Sequence, residues 1–204
     1  MKDKILVIGG YGQVGQNVCL ELIKIFPQRV FAGGRNMQKA LFFSNRTDGK
    51  VKPFKIDIYD TESFNEKLID FGIVIMCLSP DKNDLALYCI ENKINYIDIS
   101  PSNKVPSEIE LFKNRAVETE TVCILGVGLA PGLSNLMVKK VKPYFDKITT
   151  VDLFLLLGLG ERHGFDGIKW LLDNINKEFS LERENTIESI KTFKNKKKTK
   201  FPKK

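Results

Sequence analysis

The sequence predicts a doubly wound α/β fold on a parallel sheet, and three observations carry that expectation. Short apolar runs bounded by glycine, proline or acidic residues recur along residues 1–126. Stretches with apolar side chains at helical spacing separate them. The runs are apolar on both faces, as strands covered by helices on both sides must be.

Residues 4–8 (KILVI) read as a buried strand that runs straight into glycine. A helix follows over 13–26, with Val14, Val18, Leu22, Ile25 and Phe26 on one stripe and Pro27 as its stop. Residues 29–33 are the second strand, and Asn36 is placed to cap a helix over 37–46. The third strand, 51–57, carries Pro53, which suits an outer position because proline cannot donate to a ladder. Asp60 or Thr61 opens a helix to about residue 70. A fourth strand spans 73–78, and a helix capped by Asp81 spans 82–92. The fifth strand is 94–99, followed by a helix over 107–119 and a sixth strand over 121–126. Right-handed crossovers then leave the doubly wound order as the economical topology.

The pattern changes at Pro131-Gly132. A helix over 133–143, an apolar strand over 148–159 and an amphipathic helix over 165–179 are expected, the last with Trp170 in its core stripe. The expected organisation is a nucleotide-binding domain at 1–130, part of a second α/β domain at 131–190, and a disordered lysine-rich tail at 191–204. A strand as apolar as VDLFLLLGL needs a partner, so self-association into a homo-oligomer is expected.

The net charge of +7 is a property of the tail. Eight of the 32 basic residues and none of the 25 acidic ones lie in 191–204, so residues 1–190 are near neutral. No folded basic face for nucleic acid is implied. A hydrophobic content of 43% is enough for a real core, yet no run reaches the length of a membrane span. Cys19, Cys77, Cys89 and Cys123 form no C-x-x-C pair and the chain has one histidine, which argues for buried reduced thiols and against zinc. The start shows no secretory signal, so the expected location is the cytoplasm.

The stretch GGYGQVG at 9–15 contains G-x-G-x-x-G as Gly10, Gly12 and Gly15. That pattern alone is weak, but here a strand precedes it and a helix follows, the context of a Rossmann dinucleotide site. Gly10 is expected to make the tight turn, Gly12 to admit the pyrophosphate, and Gly15 to let helix and strand pack closely. The amides of Gln13, Val14 and Gly15 then face an anion at the positive end of the helix. An NAD site needs a carboxylate at the end of the second strand. The sequence there is FAGGRN, in which Arg35, followed by Asn36, offers a guanidinium to a 2′-phosphate, so NADP(H) is the expected cofactor. The other reading of Arg35 is an exposed loop residue. Asp57, after the third strand, is placed either for the adenine edge or as a turn former. No tyrosine is followed four residues later by lysine, which removes the short-chain dehydrogenase mechanism.

Several segments together resemble the saccharopine dehydrogenase-like oxidoreductases. They are IGGYGQVG, AGGRN, Cys77-Leu78-Ser79-Pro80, Tyr96-Ile97-Asp98-Ile99-Ser100, GLAPGLSNL at 128–136 and LLLGLGERHG at 155–164. The resemblance implies a Rossmann domain followed by an α/β domain for substrate binding and dimer contacts. It implies NADP-dependent hydride transfer at a C–N bond joining an amino acid or polyamine to a carbonyl compound. Against that family the chain looks cut short, which keeps other readings open, a nucleotide-binding or redox-sensing module without catalysis, or a truncated remnant.

The nicotinamide should lie beyond strands four to six. Cys77 and Ser79 stand there as cofactor contacts, and Asp98 as a polar group near the ring or, alternatively, a strand-end carboxylate satisfied by the backbone. Asn135 is a candidate substrate contact or a helix cap, and His163 a candidate substrate contact or a plain loop residue.

Overall fold

Why the first half of the chain folds as it does is visible in its strand register. The computed structural model of the protein describes residues 2–99, 104–155, 165–183, 186–192, 194 and 200. Six strands form one sheet: β1 (Lys4–Ile8), β2 (Val30–Gly34), β3 (Lys52–Lys55), β4 (Phe71–Met76), β5 (Asn95–Asp98) and β6 (Cys123–Ile124). Their order is β3-β2-β1-β4-β5-β6, and every neighbouring pair is parallel. This is the doubly wound Rossmann arrangement. It puts β1 between β2 and β4, so the chain reverses direction across the sheet at the β1–β4 seam. Proline-bearing β3 is an edge strand, as its missing donor requires.

Alternation along each strand divides the core in two. Leu6, Ile8, Val74, Met76 and Tyr96 pack on one face with Phe64, Leu68, Leu85 and Ile90 of α3 (Phe64–Leu68) and α4 (Asp84–Glu91). Ile5, Val7, Val30 and Ala32 pack on the other with Cys19 of α1 (Gln13–Ile25) and Phe43 of α2 (Met37–Asn45). Each large side chain so buried contributes roughly 1.5–3 kcal/mol. The rings of Phe31, Phe54 and Phe71 meet edge to face beside this core, with centroids 5.0–6.2 Å apart.

Several expected boundaries shift. The segment after β3 is a 3-10 turn at Thr61–Ser63 running into α3, and Asp60 makes no side-chain cap. Helix α4 begins at Asp84 behind Asn83, not behind Asp81. The helix expected over 107–119 is two, α5 (Lys104–Glu110) and α6 (Lys113–Glu118), because Leu111 and Phe112 donate three residues back and tighten the chain. Strand β6 is short because its bonds to β5 are interrupted after Ile124 and resume only where Val127 N–H meets Asp98 O at 2.9 Å.

By internal contacts the chain divides into two units, Met1–Gly164 and Phe165–Lys204. In the first, α7 (Leu133–Val141) follows Gly132 and passes into a 3-10 turn at Lys142–Tyr144. Residues 148–155 form no strand, which corrects the expectation for 148–159 as far as the described residues reach. No described strand pairs with them, and a strand exists only through its partner. In the second unit, α8 (Phe165–Asn174) is shorter than expected. Asn176 adopts φ 61°, which turns the chain into an antiparallel hairpin of β7 (Glu178–Arg183) and β8 (Thr186–Lys191). The Thr192 hydroxyl donates to Asn174 O at 2.7 Å and accepts from Lys177 N–H at 3.0 Å, fastening the hairpin's open end to the helix end. No helix among the described residues is long and apolar enough to cross a membrane.

Candidate functional site

The β1–α1 turn is built from close approaches that only hydrogen atoms allow. Gly9 has φ 73°, and a Cβ on it would lie 2.8 Å from the Leu78 side chain. A Cβ on Gly10 would meet Ala32 Cα and Val7 O, each at 2.7 Å. The tight-turn conformation therefore belongs to Gly9, and Gly10 serves close packing on β2, which revises the role expected for Gly10. Gly15 has the role expected of it, since a Cβ there would strike Gly9 O and lie 2.7 Å from Gly10 Cα.

Gly12 is different. Its backbone is extended, φ −78° and ψ 174°, a conformation open to any residue. A Cβ there would meet a single protein atom within 4 Å, Gly9 O at 3.0 Å. That is closer than ordinary van der Waals contact, so Gly9 would have to yield slightly, a milder demand than at Gly10 or Gly15, to which a ligand resting on the turn would add its own. Behind it, α1 opens with Gln13, Val14 and Gly15, without a side-chain cap and without an acidic residue in its first turn. Three amides and the helix dipole are therefore presented to an anion.

The end of β2 lies alongside. Gly9 N–H bonds Gly33 O at 2.8 Å, and Ile56 N–H bonds Gly34 O at 3.1 Å. Arg35 follows, exposed and without an ion pair among the described residues. The Asn36 side chain accepts Lys39 N–H at 3.0 Å and so caps α2 as expected, while its backbone amide donates to the Tyr11 hydroxyl at 3.0 Å. Asp57 Oδ1 accepts Tyr59 N–H at 3.1 Å, the turn-forming alternative.

Across the seam, Cys77 N–H bonds Ile8 O at 3.0 Å, which sets the β4 end beside the glycine turn. Ser79 Oγ is buried there with no hydrogen-bond partner among the described residues. Burial pushes the Cys77 thiol up to about 12, with the Asp98 carboxylate adding to the effect. Burial likewise pushes Cys19 up to about 12, with Cys77 adding to it. All four cysteines are free thiols. Cys19 and Cys77 stay protonated in the folded state above their ordinary value of 9.0, while the unfolded chain releases those protons. Stability is then fully present below pH 9 and falls as pH rises towards 12, by about 1.4 kcal/mol per pH unit for each thiol. Urea melts at pH 8 and pH 10.5 check this, and Cys19→Ala with Cys77→Ala should reduce the difference, the remainder coming from Cys89, whose thiol burial also raises.

Asp98 is fully buried at the end of β5. It accepts the Tyr96 phenol at 3.2 Å, and its backbone carbonyl accepts Val127 N–H. Asn135 lies at the start of α7, where its Oδ1 accepts Gly132 N–H at 3.1 Å and the Ser134 hydroxyl at 3.2 Å. That is the capping alternative. Gly132, at φ 120°, leaves no room for a Cβ against Gly128. His163 and Ser100 lie outside the described residues.

The turn, the β2 end and the β4 end are thus brought to one edge of the sheet, at the switch point. Two participants were not singled out from sequence, Gly9 and Tyr11. Their signal is the glycine pair Gly33-Gly34 facing a tyrosine in the turn, since a Cβ on Gly34 would collide with the Tyr11 hydroxyl and lie 2.7 Å from its Cζ. The residues fit a dinucleotide phosphate. Gly12 provides a cradle, uncapped amides face it, Ser79 Oγ is an orphaned donor, and the β2 end offers Arg35 in place of a carboxylate.

The family model described as saccharopine dehydrogenase NADP binding domain matches residues 5–124. The chain belongs to that family, an NADP-binding Rossmann domain of saccharopine dehydrogenase-like oxidoreductases. Among solved structures it is similar to apo saccharopine dehydrogenase (L-Glu forming) from Saccharomyces cerevisiae. The TM-score is 0.58 at 21% identity, over 69% of this chain and 31% of that one. It is also similar to an oxidoreductase from Agrobacterium radiobacter in complex with NAD+, L-tartaric acid and magnesium, with TM-score 0.52, 13% identity, and coverage of 71% and 41%. A third is the WlbA dehydrogenase from Thermus thermophilus in complex with NAD and alpha-ketoglutarate, with TM-score 0.50, 15% identity, and coverage of 71% and 47%. At these identities the likeness shows the fold. The chain spans less than half the length of each of these structures. No curated protein matches the sequence at a significant level.

Proposed function

We propose that the chain serves NADP-dependent oxidation and reduction at a C–N bond, of the kind that joins an amino acid or polyamine to a carbonyl compound. The observation that carries it is the glycine turn at the switch point, where the uncapped amides at the start of α1 are open to a phosphate beside Gly12. In this reading the amides of Gln13, Val14 and Gly15 hold the pyrophosphate. Arg35 and the Asn36 loop take the 2′-phosphate, and Asp57 lies towards the adenine. Cys77 and Ser79 line the nicotinamide end, where Ser79 Oγ gains the partner it lacks. The cofactor supplies the hydride. Asp98, held by Tyr96, is the polar group we place nearest that end, and Asn135 and His163 belong to the substrate side.

Residues 131–190 then belong to the substrate and dimerisation domain. The exposed apolar side chains Leu133, Leu136 and Met137 of α7, with Val151 and Leu153, support association with a second copy. Free thiols suit a cytoplasmic location. The test is NADPH consumption with a panel of amino acids and polyamines paired with oxo acids and aldehydes. Turnover with a pair that forms an imine is the expected result. Tight NADPH binding with no turnover across the panel would assign the chain to a nucleotide-binding module instead.

A further inference from the structure

The geometry points to Tyr11 as a specificity residue for the adenosine 2′-phosphate, acting beside Arg35; the inference rests on the NADP reading above. Tyr11 occupies the variable position between Gly10 and Gly12. Its backbone carbonyl accepts Gln16 Nε2 at 2.8 Å, which ties the residue to the first turns of α1. Its ring lies over Gly34, where even a methyl group would displace it. Its hydroxyl accepts the Asn36 amide at 3.0 Å. The tyrosine thus spans the gap from the phosphate cradle to the end of β2 and holds Arg35 from the following residue.

The hydroxyl has one proton and two lone pairs. The Asn36 amide uses a lone pair and leaves the proton to donate. No acceptor for that proton is present among the described residues. A phosphate is an acceptor-only group, so a hydroxyl whose accepting side is already engaged is suited to it. An adenosine 2′-hydroxyl, which NADH presents, can itself donate and has less need of this donor. Tyr11 therefore adds to the discrimination in two ways, by donating to the 2′-phosphate and by fixing the loop that carries Arg35. It touches no reacting atom and is not a catalytic residue.

The experiment is fluorescence titration of the wild-type chain and of Tyr11→Phe with NADPH and with NADH. Adenosine 2′-monophosphate and adenosine 5′-monophosphate serve as competitors. Phenylalanine keeps the ring over Gly34, and NADH binding by the variant reports that the cradle is intact. Loss of one hydrogen bond to a charged group predicts that Tyr11→Phe binds NADPH about tenfold more weakly, with the NADH constant changed less than about twofold. Competition by the 2′-monophosphate should weaken in parallel. Equal weakening for both cofactors, or no change for either, while the wild type still prefers NADPH, overturns the role of Tyr11 and leaves the NADP reading standing. Wild-type protein that binds neither cofactor overturns the NADP reading and this inference with it.

Discussion

Gly12→Ala is expected to weaken NADPH binding by at least about 100-fold, the loss of two charge-assisted hydrogen bonds, while the protein stays folded. The backbone at Gly12 already suits alanine, and the added methyl meets Gly9 O alone, at 3.0 Å, a close contact that a small shift of the turn relieves. Lifting the pyrophosphate by a methyl's width breaks at least two of its bonds to the amides of Gln13, Val14 and Gly15. Gly15→Ala is the contrasting variant. Its methyl is driven into Gly9 O and Gly10 Cα, both backbone, so turn and helix must separate. Overpacking of this kind costs about 1–3 kcal/mol, and binding should fail together with stability. A thermal melt and a cofactor titration on both variants read the difference. Binding retained by Gly12→Ala would mean that the amides hold no phosphate.

Arg35→Asp should reverse the cofactor preference. The guanidinium is exposed, follows β2 directly and has no described ion-pair partner, so it is available to a 2′-phosphate. Removing a charge-assisted, planar contact and adding a repelling carboxylate predicts NADPH binding weaker by about 100-fold. The new carboxylate stands where an NAD site keeps its acceptor for the ribose 2′-OH, so NADH binding should hold or improve. Paired titrations at one ionic strength check it. An unchanged preference would remove Arg35 from the site.

The first five strands were legible because glycine and proline mark their ends and because their apolar runs need no distant partner to be recognised. Pro53 even reported that β3 lies at the edge. Legibility falls where a partner decides. Strand β6 shrinks to Cys123–Ile124 because hydrogen bonding to β5, not apolar content, sets its length. The apolar run at 148–155 stays irregular for the same reason, and the β7–β8 hairpin went unseen because its apolar residues are too few to announce it.

The site divides in the same way. Gly12 and the uncapped helix start can be read from one motif, as can the absence of a carboxylate before Arg35. The demand on Gly9 comes from Leu78, and that on Gly34 from Tyr11, across contacts that no local pattern encodes. The Tyr96–Asp98 pair was within reach, since residues two apart on a strand share a face. Burial of both is what turns that spacing into a hydrogen bond.

The central claim is that this glycine turn and the β2 end bind NADPH in preference to NADH. Titration of the unaltered chain with each cofactor, at matched low and moderate salt, tests it most directly. The account predicts that NADPH binds at least about tenfold more tightly, and that the gap narrows as salt screens the exposed Arg35. Equal or tighter binding of NADH, or binding of neither, would contradict it.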